Sequence, residues 1–178
     1  MSESAESFMF LVPKYYFVTG GAATSDISPL NAFDNALLKA GIAQCNLVPV
    51  SSIIPGDAIE IKPIKIPAGT ITFVVMARTD GQNGETIGAG VGWGFARNPE
   101  TGERYGFVAE AHGYRDKHSL KLDLERKLQE MARARKMILE STYTRVESLK
   151  VLDAIYGSTV AVFVYVFDKI PFRTNNNK

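Results

Sequence analysis

The sequence predicts an α+β protein whose mostly antiparallel strands form two packed sheets with helices outside. Three observations carry this. Strand-like segments come in groups and do not alternate with helices, which argues against a doubly wound parallel sheet. Helical signals are confined to two stretches, near 28–41 and about 117–140. Two helices cannot cover both faces of six or seven strands in one flat sheet. Two sheets facing each other solve this, with subunit contacts left to cover the remainder.

The elements follow in order. Residues 1–8 are small and polar and are expected to be loose. YYFVT (15–19) reads as a strand, broken by Gly20-Gly21. Ser28 is a good N-cap, Pro29 suits the first helical position and Gly41 the stop, so a helix is expected between them. CNLVPVSSII (45–54) reads as one strand ending at Pro55-Gly56. Residues 57–69 contain Pro63 and Pro67, which cannot donate to a ladder, so this stretch is an extended edge or a loop. TITFVVMART (70–79) is a strong strand, and DGQNG (80–84) is turn chemistry.

Residues 85–97 are unusual. Gly88, Gly90, Gly92 and Gly94 alternate with Ala89, Val91, Trp93 and Phe95, so one strand face is bare. A bare face means close approach of something else: either tight sheet-on-sheet packing or the floor of a pocket. It is not a phosphate loop, because no Gly-Lys-Ser/Thr follows. NPETGE (98–103) turns into a strand at 104–111. Leu120, Leu124, Leu128, Met131 and Ile138 then mark one face of a long helix. Arg133, Arg135 and Lys136 are interspersed with Glu125, Glu130 and Glu140, which reads as a solvated helix surface. Residues 144–152 and 158–168 are two more strands, joined through Tyr156-Gly157, and TNNNK is a frayed tail. With no internal repeat and no linker, residues 1–178 read as one domain.

Composition limits the function classes. Of 178 residues, 46% are apolar and 22% charged, ordinary for a globular protein. Twenty Lys and Arg against 19 Asp and Glu leave a net charge of +1, which gives no electrostatic reason to expect nucleic acid or a membrane as partner. The single cysteine, Cys45, excludes an intrachain disulfide, and with His112 and His118 it makes a poor zinc set, so no metal is expected. No apolar run approaches the length of a membrane span. The opening MSESAESFMFLVPKYY lacks the basic stretch of a secretory signal, so the expected compartment is the cytoplasm.

Three places could carry chemistry. Leu30, Asp34 and Leu37 are spaced i, i+4, i+7 on the first helix. Asp34 is then either an anchor for a cationic ligand between apolar walls or an acid at the edge of the apolar face pointing to water. Glu110, in YGFVAEAHG, shares its strand face with Gly106 and Val108. It is either a carboxyl whose burial raises its pKa into the range of a general acid or an exposed strand-end carboxylate. Ser51-Ser52 sits inside an apolar strand before a Pro-Gly turn, five residues after Asn46. A serine hydroxyl held against the preceding carbonyl can attack it, given strain or an oxyanion donor.

Together these segments resemble the pyruvoyl-dependent arginine decarboxylases. SPLNAFDNALLKAGIAQCNLVPVSSIIP (28–55) is similar to the family's amino-terminal helix, loop and self-cleavage strand. PAGTITFVVMARTDGQNGETIGAGVGWG (67–94) is similar to its central and Gly-rich strands, and GFVAEAHG (106–113) to its catalytic-glutamate strand. The resemblance covers about residues 10–168, and Asn, four residues, Ser-Ser, a hydrophobic pair and Pro is its most specific part.

The resemblance implies a four-layer αββα sandwich assembled as a homotrimer or a hexamer (a dimer of trimers), with active sites between subunits. It implies that Ser52 attacks the Ser51 carbonyl, splitting the chain into 1–51 and 52–178, with Ser52 becoming a covalently bound pyruvoyl group. Asn46 matches the position that assists this cleavage, Asp34 the one that grips the guanidinium, and Leu30 and Leu37 those lining the aliphatic stem. Glu110 matches the proton donor. Arginine would be decarboxylated to agmatine and CO2 through a Schiff base to the pyruvoyl group, with no pyridoxal phosphate and no metal. Agmatine could then feed polyamine synthesis or serve acid resistance. The competing reading is a non-catalytic oligomeric module that binds a cationic amino acid.

Overall fold

The computed structural model describes residues 10–152 and 154–168. The elements are β1 (Tyr15–Ser25), α1 (Pro29–Ala40), β2 (Asn46–Pro49), β3 (Ile53–Ile54), β4 (Ile59–Glu60), β5 (Ile71–Gln82), β6 (Thr86–Arg97) and β7 (Arg104–Gly113). Then come α2 (Lys117–Ala134), β8 (Ile138–Leu139), β9 (Tyr143–Lys150) and β10 (Tyr156–Val166). The expected loose residues 1–8 and the TNNNK tail lie outside the described residues.

The strands form two five-stranded sheets. The first has the order β2-β5-β10-β1-β4; in the second, β3-β7-β6 continues on the far side of β6 into both β8 and β9. Pairing is antiparallel except at the two edges of the first sheet, where β2 runs parallel to β5 and β4 parallel to β1. Three buried layers separate the elements. Val75, Val91, Phe95 and Phe163 fill the space between the sheets. Ala36, Leu37 and Ala40 of α1 pack on Val160 and Val162 of the first sheet. Leu120, Leu124 and Leu128 of α2 pack on the second. The order is therefore helix, sheet, sheet, helix, as the sequence predicts.

Several expectations are corrected. Gly20-Gly21 does not end β1, which continues to Ser25. A Cβ at Gly21 would drive into the backbone of Ala36, so this glycine marks where α1 crosses the sheet. The 45–54 segment is not one strand but two, in different sheets. The strand expected at 70–79 runs to Gln82, and the turn narrows to residues 83–85, with Gly84 at φ 88°. The bare face of β6 is neither sheet-on-sheet contact nor a pocket floor. A Cβ at Gly90 would come within 2.9 Å of Leu124 Cδ1, and one at Gly92 within 3.0 Å of Leu124 Cβ, so these glycines admit α2, while Gly94 admits the Ser141 backbone. The second helix stops at Ala134, and Ile138 belongs to β8; the buried stripe is Leu120, Leu124, Leu128 and Ala132. Tyr156-Gly157 is not a linker but the start of β10.

Candidate active site

The chain passes from the first sheet to the second at Ser51-Ser52. Pro49 is tolerated in β2 because β2 is an edge strand. Val50 N–H still donates to Val74 O of the first sheet at 2.9 Å. Two residues later, Ser52 O accepts from Val108 N–H of the second sheet at 2.9 Å. The Ser51–Ser52 peptide is therefore the bridge between sheets. On the downstream side Ile54 is fully buried in the intersheet core, and Gly106 gives it room, since a Cβ there would lie 3.0 Å from Ile54 Cβ. Tyr165 on β10 reaches across the core and donates its hydroxyl to Ile53 O at 2.9 Å.

The two serines border different cavities. Ser51 lines an apolar pocket of about 240 Å3 with Val50, Ile53, Phe73 and Tyr165. Ser52 lines an open cleft of about 400 Å3 with Val108, Glu110, Lys127, Glu130 and Met131. Ser52 and Glu110 thus line one cleft, although 58 positions separate them in sequence.

Glu110 sits near the end of β7, where the strand's alternation aims it to the same side as core residue Val108. As a residue Glu110 is exposed, yet desolvation pushes its pKa above the ordinary glutamate value, against the opposing charges of His112 and Lys127. Lys127 comes from α2. Its Nζ donates to Glu110 O at 2.7 Å and lies 3.2 Å from Asp123 Oδ2. Asp123 is also paired with Arg115 and Arg126, each at 3.0 Å.

The remaining predicted residues lie elsewhere on the chain. The helix caps around Asp34 are as expected: Ser28 Oγ accepts from Asn31 N–H, and Gly41 adopts φ 76°. Asp34 is exposed on α1 and lines neither of the two cavities at the serines. Its two expected leucine neighbours separate. Leu30 is 70% exposed, whereas Leu37 is 8% exposed and turns into the sheet with Ala36 and Ala40. Residues 30, 34 and 38 fall on one stripe at i+4 spacing, so Leu38, 61% exposed, stands beside Asp34 on the open face. Asn46 is exposed at the start of β2, with its side-chain amide donating to Gly69 O at 2.9 Å. At about 3.3 Å per residue it is on the order of 13 Å from Val50 along the extended strand.

Lys127 and Tyr165 escaped the sequence reading. Nothing in the spacing distinguishes Lys127 from other helix-surface lysines. Tyr165 lies in an apolar strand, and its one signal is that a buried phenol needs a hydrogen-bond acceptor.

With this geometry in place, comparison with known proteins is decisive. The family model for pyruvoyl-dependent arginine decarboxylase matches residues 15–169. The chain belongs to this family. A pyruvoyl-dependent arginine decarboxylase of Methanopyrus kandleri is 34% identical over 154 residues, 86% of this chain and 97% of that one. That of Thermococcus sibiricus is 33% identical over 144 residues, covering 79% and 89% of the two chains. That of Pyrococcus furiosus is 30% identical over 161 residues, covering 89% and 99%.

The family name specifies a pyruvoyl group, and the surroundings of residue 52 fit one. The Ser52 side chain borders an open cleft, its carbonyl is already held by Val108 N–H, and a carboxyl with a raised pKa stands in the same cleft. Among the described residues no group of three or more His, Cys, Asp or Glu is arranged to hold a metal ion, and no helix is long and apolar enough to cross a membrane.

Proposed function

We propose that the protein is a self-processing decarboxylase that converts L-arginine to agmatine and CO2. The observation that carries this is the sharing of one cleft by Ser52 and Glu110, with the Ser51–Ser52 peptide strung between two sheets. Processing begins when Ser52 Oγ attacks the Ser51 carbonyl carbon. The nitrogen of residue 52 leaves, taking the hydroxyl proton, and the peptide becomes an ester. Loss of the residue 52 α-proton then breaks the Cβ–O bond and releases Ser51 as a carboxylate. One water hydrolyses the resulting enamine through its imine tautomer, ammonia departs, and residue 52 becomes a pyruvoyl group. The products are chains 1–51 and 52–178.

These two chains stay associated without the peptide link. Eleven register pairs join β1 to β10, and four more join β2 to β5. Both pairings run between the fragments, as does the packing of α1 on the first sheet.

Once formed, the pyruvoyl group supplies a keto carbon for the substrate amine and an adjacent carbonyl to accept the electron pair released with CO2. Glu110, whose pKa desolvation raises above the ordinary glutamate value, delivers a proton to the substrate α-carbon. Asp34 binds the guanidinium; a carboxylate prefers this planar fork to an ammonium. Because Asp34 and Asn46 stand away from the serine cleft, they serve a site completed by a neighbouring copy. Exposed Ile27, Leu30 and Leu38 flanking Asp34 supply the apolar surface for that contact, and Leu37 backs it from within the helix packing. A homotrimer, alone or stacked as a hexamer, satisfies this requirement. The compartment consistent with this chemistry is the cytoplasm.

The test is direct. Purified wild-type protein should release CO2 and agmatine from arginine, and Ser52→Ala should remain a single chain and be inactive. Binding of arginine by the wild-type protein without CO2 release would replace this function with that of a non-catalytic module.

A further inference from the structure

We propose that Tyr165 is a positioning residue that pins the chain end created by processing, so that residue 52 stays in the cleft with Glu110. The inference rests on the self-cleavage described above. Before cleavage, residue 52 is held from both directions along the chain. Afterwards it is the first residue of the larger chain, and chain ends fray unless tied down. The strand that carries it, β3, has two residues and two register pairs with β7, Ile53 with Phe107 and Ile54 with Gly106. So short a ladder is a weak tether.

Two further hydrogen bonds reinforce it. Val108 N–H holds Ser52 O from the second sheet, and the Tyr165 hydroxyl holds Ile53 O from the first, each at 2.9 Å. The end is thereby gripped from both sides of the intersheet core. Both donors belong to the 52–178 fragment, so processing removes neither. The contact from Val50 to Val74, by contrast, holds only the upstream fragment. The surroundings of Tyr165 suit it to this role. It is 5% exposed and packs against Phe163 at 5.0 Å between ring centroids. Burial pushes its phenol above the ordinary pKa, so the hydroxyl remains a donor.

Tyr165→Phe removes the hydroxyl and keeps the ring. Tyr16→Phe is the control: Tyr16 is equally buried in the same core, stacked on Phe163 at 4.6 Å, and its hydroxyl points to Glu60. Three readouts are compared: kcat and KM for arginine on fully processed protein, amide exchange at Ile53 and Ile54, and the melting temperature. For Tyr165→Phe, kcat should fall about tenfold with KM within about twofold, and exchange should accelerate about tenfold, the factor set by one lost hydrogen bond. Tyr16→Phe should change neither. Wild-type kcat and exchange in Tyr165→Phe would overturn the proposal, as would equal losses in both variants that track the melting temperature. The exchange measurement reads the tether without turnover. A wild-type chain that neither cleaves nor decarboxylates would defeat the functional reading, whereas a normal wild type beside an unaltered Tyr165→Phe would defeat this inference alone.

Discussion

Ser52 and Val108 are joined by a 2.9 Å hydrogen bond in which the Val108 N–H donates to the Ser52 carbonyl. This oxygen survives the proposed processing, because only the bond on the other side of residue 52 is broken. In the proposed pyruvoyl group it would lie beside the keto carbon, where negative charge would accumulate as CO2 leaves. The donor is thus in place in the uncleaved chain, before the group it would serve is formed, and it comes from the strand that carries Glu110 two residues later. Preorganised donors of this kind contribute because nothing has to reorient as charge develops.

Asp34→Asn should process normally and bind arginine poorly. Its exposed position on α1 takes no part in the serine cleft of its own chain, so cleavage assessed on denaturing gels should be unchanged. Losing the charge opposite a guanidinium should raise KM roughly 30-fold or more. Wild-type KM in this variant would remove the anchor role.

Glu110→Gln should also process and then turn over on the order of 10² to 10³ times more slowly, the contribution of a positioned acid. The pH profile gives a second check. Desolvation holds the Glu110 pKa up while Lys127 and His112 oppose it. Turnover should fall as pH rises through this value and the donor is lost. Lys127→Met removes an opposing charge, so the pKa should rise further and the alkaline fall in kcat should move to higher pH. A shift to lower pH would contradict this electrostatic account.

Asp123 should make stability acid-sensitive. Its partial burial raises its pKa, but Arg115, Lys127 and Arg126 outweigh this and hold the carboxyl below its usual range. A folded pKa below the unfolded one contributes stability that is present above the unfolded value, about 3.9, and lost as pH falls through the folded value. At pH 7, Asp123→Asn should cost about 1–2 kcal/mol in urea unfolding. The difference from wild type should vanish in strong acid. A constant difference down to pH 2 would assign the effect to packing.

The β6 glycines should differ in their tolerance of alanine. At Gly90 a Cβ meets two side-chain ends, Leu124 Cδ1 and Val146 Cγ2, both at 2.9 Å, which can shift. At Gly94 it meets the Ser141 backbone carbonyl, which cannot. Gly94→Ala should therefore lose about 2–3 kcal/mol and Gly90→Ala less, by thermal or urea melts. The reverse order would contradict the packing described.

The sequence made much of this legible, for identifiable reasons. Ser28, Pro29 and Gly41 bracket α1 because caps act locally. The glycines of β6 announced a close neighbour, but not which one, because α2 reaches Gly88, Gly90 and Gly92, and Ser141 reaches Gly94, from residues 30 or more positions away. The two-strand nature of 45–54 was hidden: Val50 and Ser52 find partners in different sheets, and local apolar pattern carries no information about partners. Leu37 looked like a companion of Asp34 because i+3 and i+4 neighbours both lie near one face, yet the sheet takes position 37 and leaves 38 outside. Lys127 and Tyr165 depend wholly on long-range contacts with Glu110 and Ile53.

The central claim is that the Ser51–Ser52 peptide breaks and leaves a pyruvoyl group. Intact mass of freshly purified protein under denaturing conditions tests it most directly. The account predicts two chains, 1–51 ending in a free carboxylate and 52–178 beginning with the pyruvoyl group, which co-migrate as one particle under native conditions. A single uncleaved 178-residue chain in a preparation that nonetheless decarboxylates arginine would contradict it.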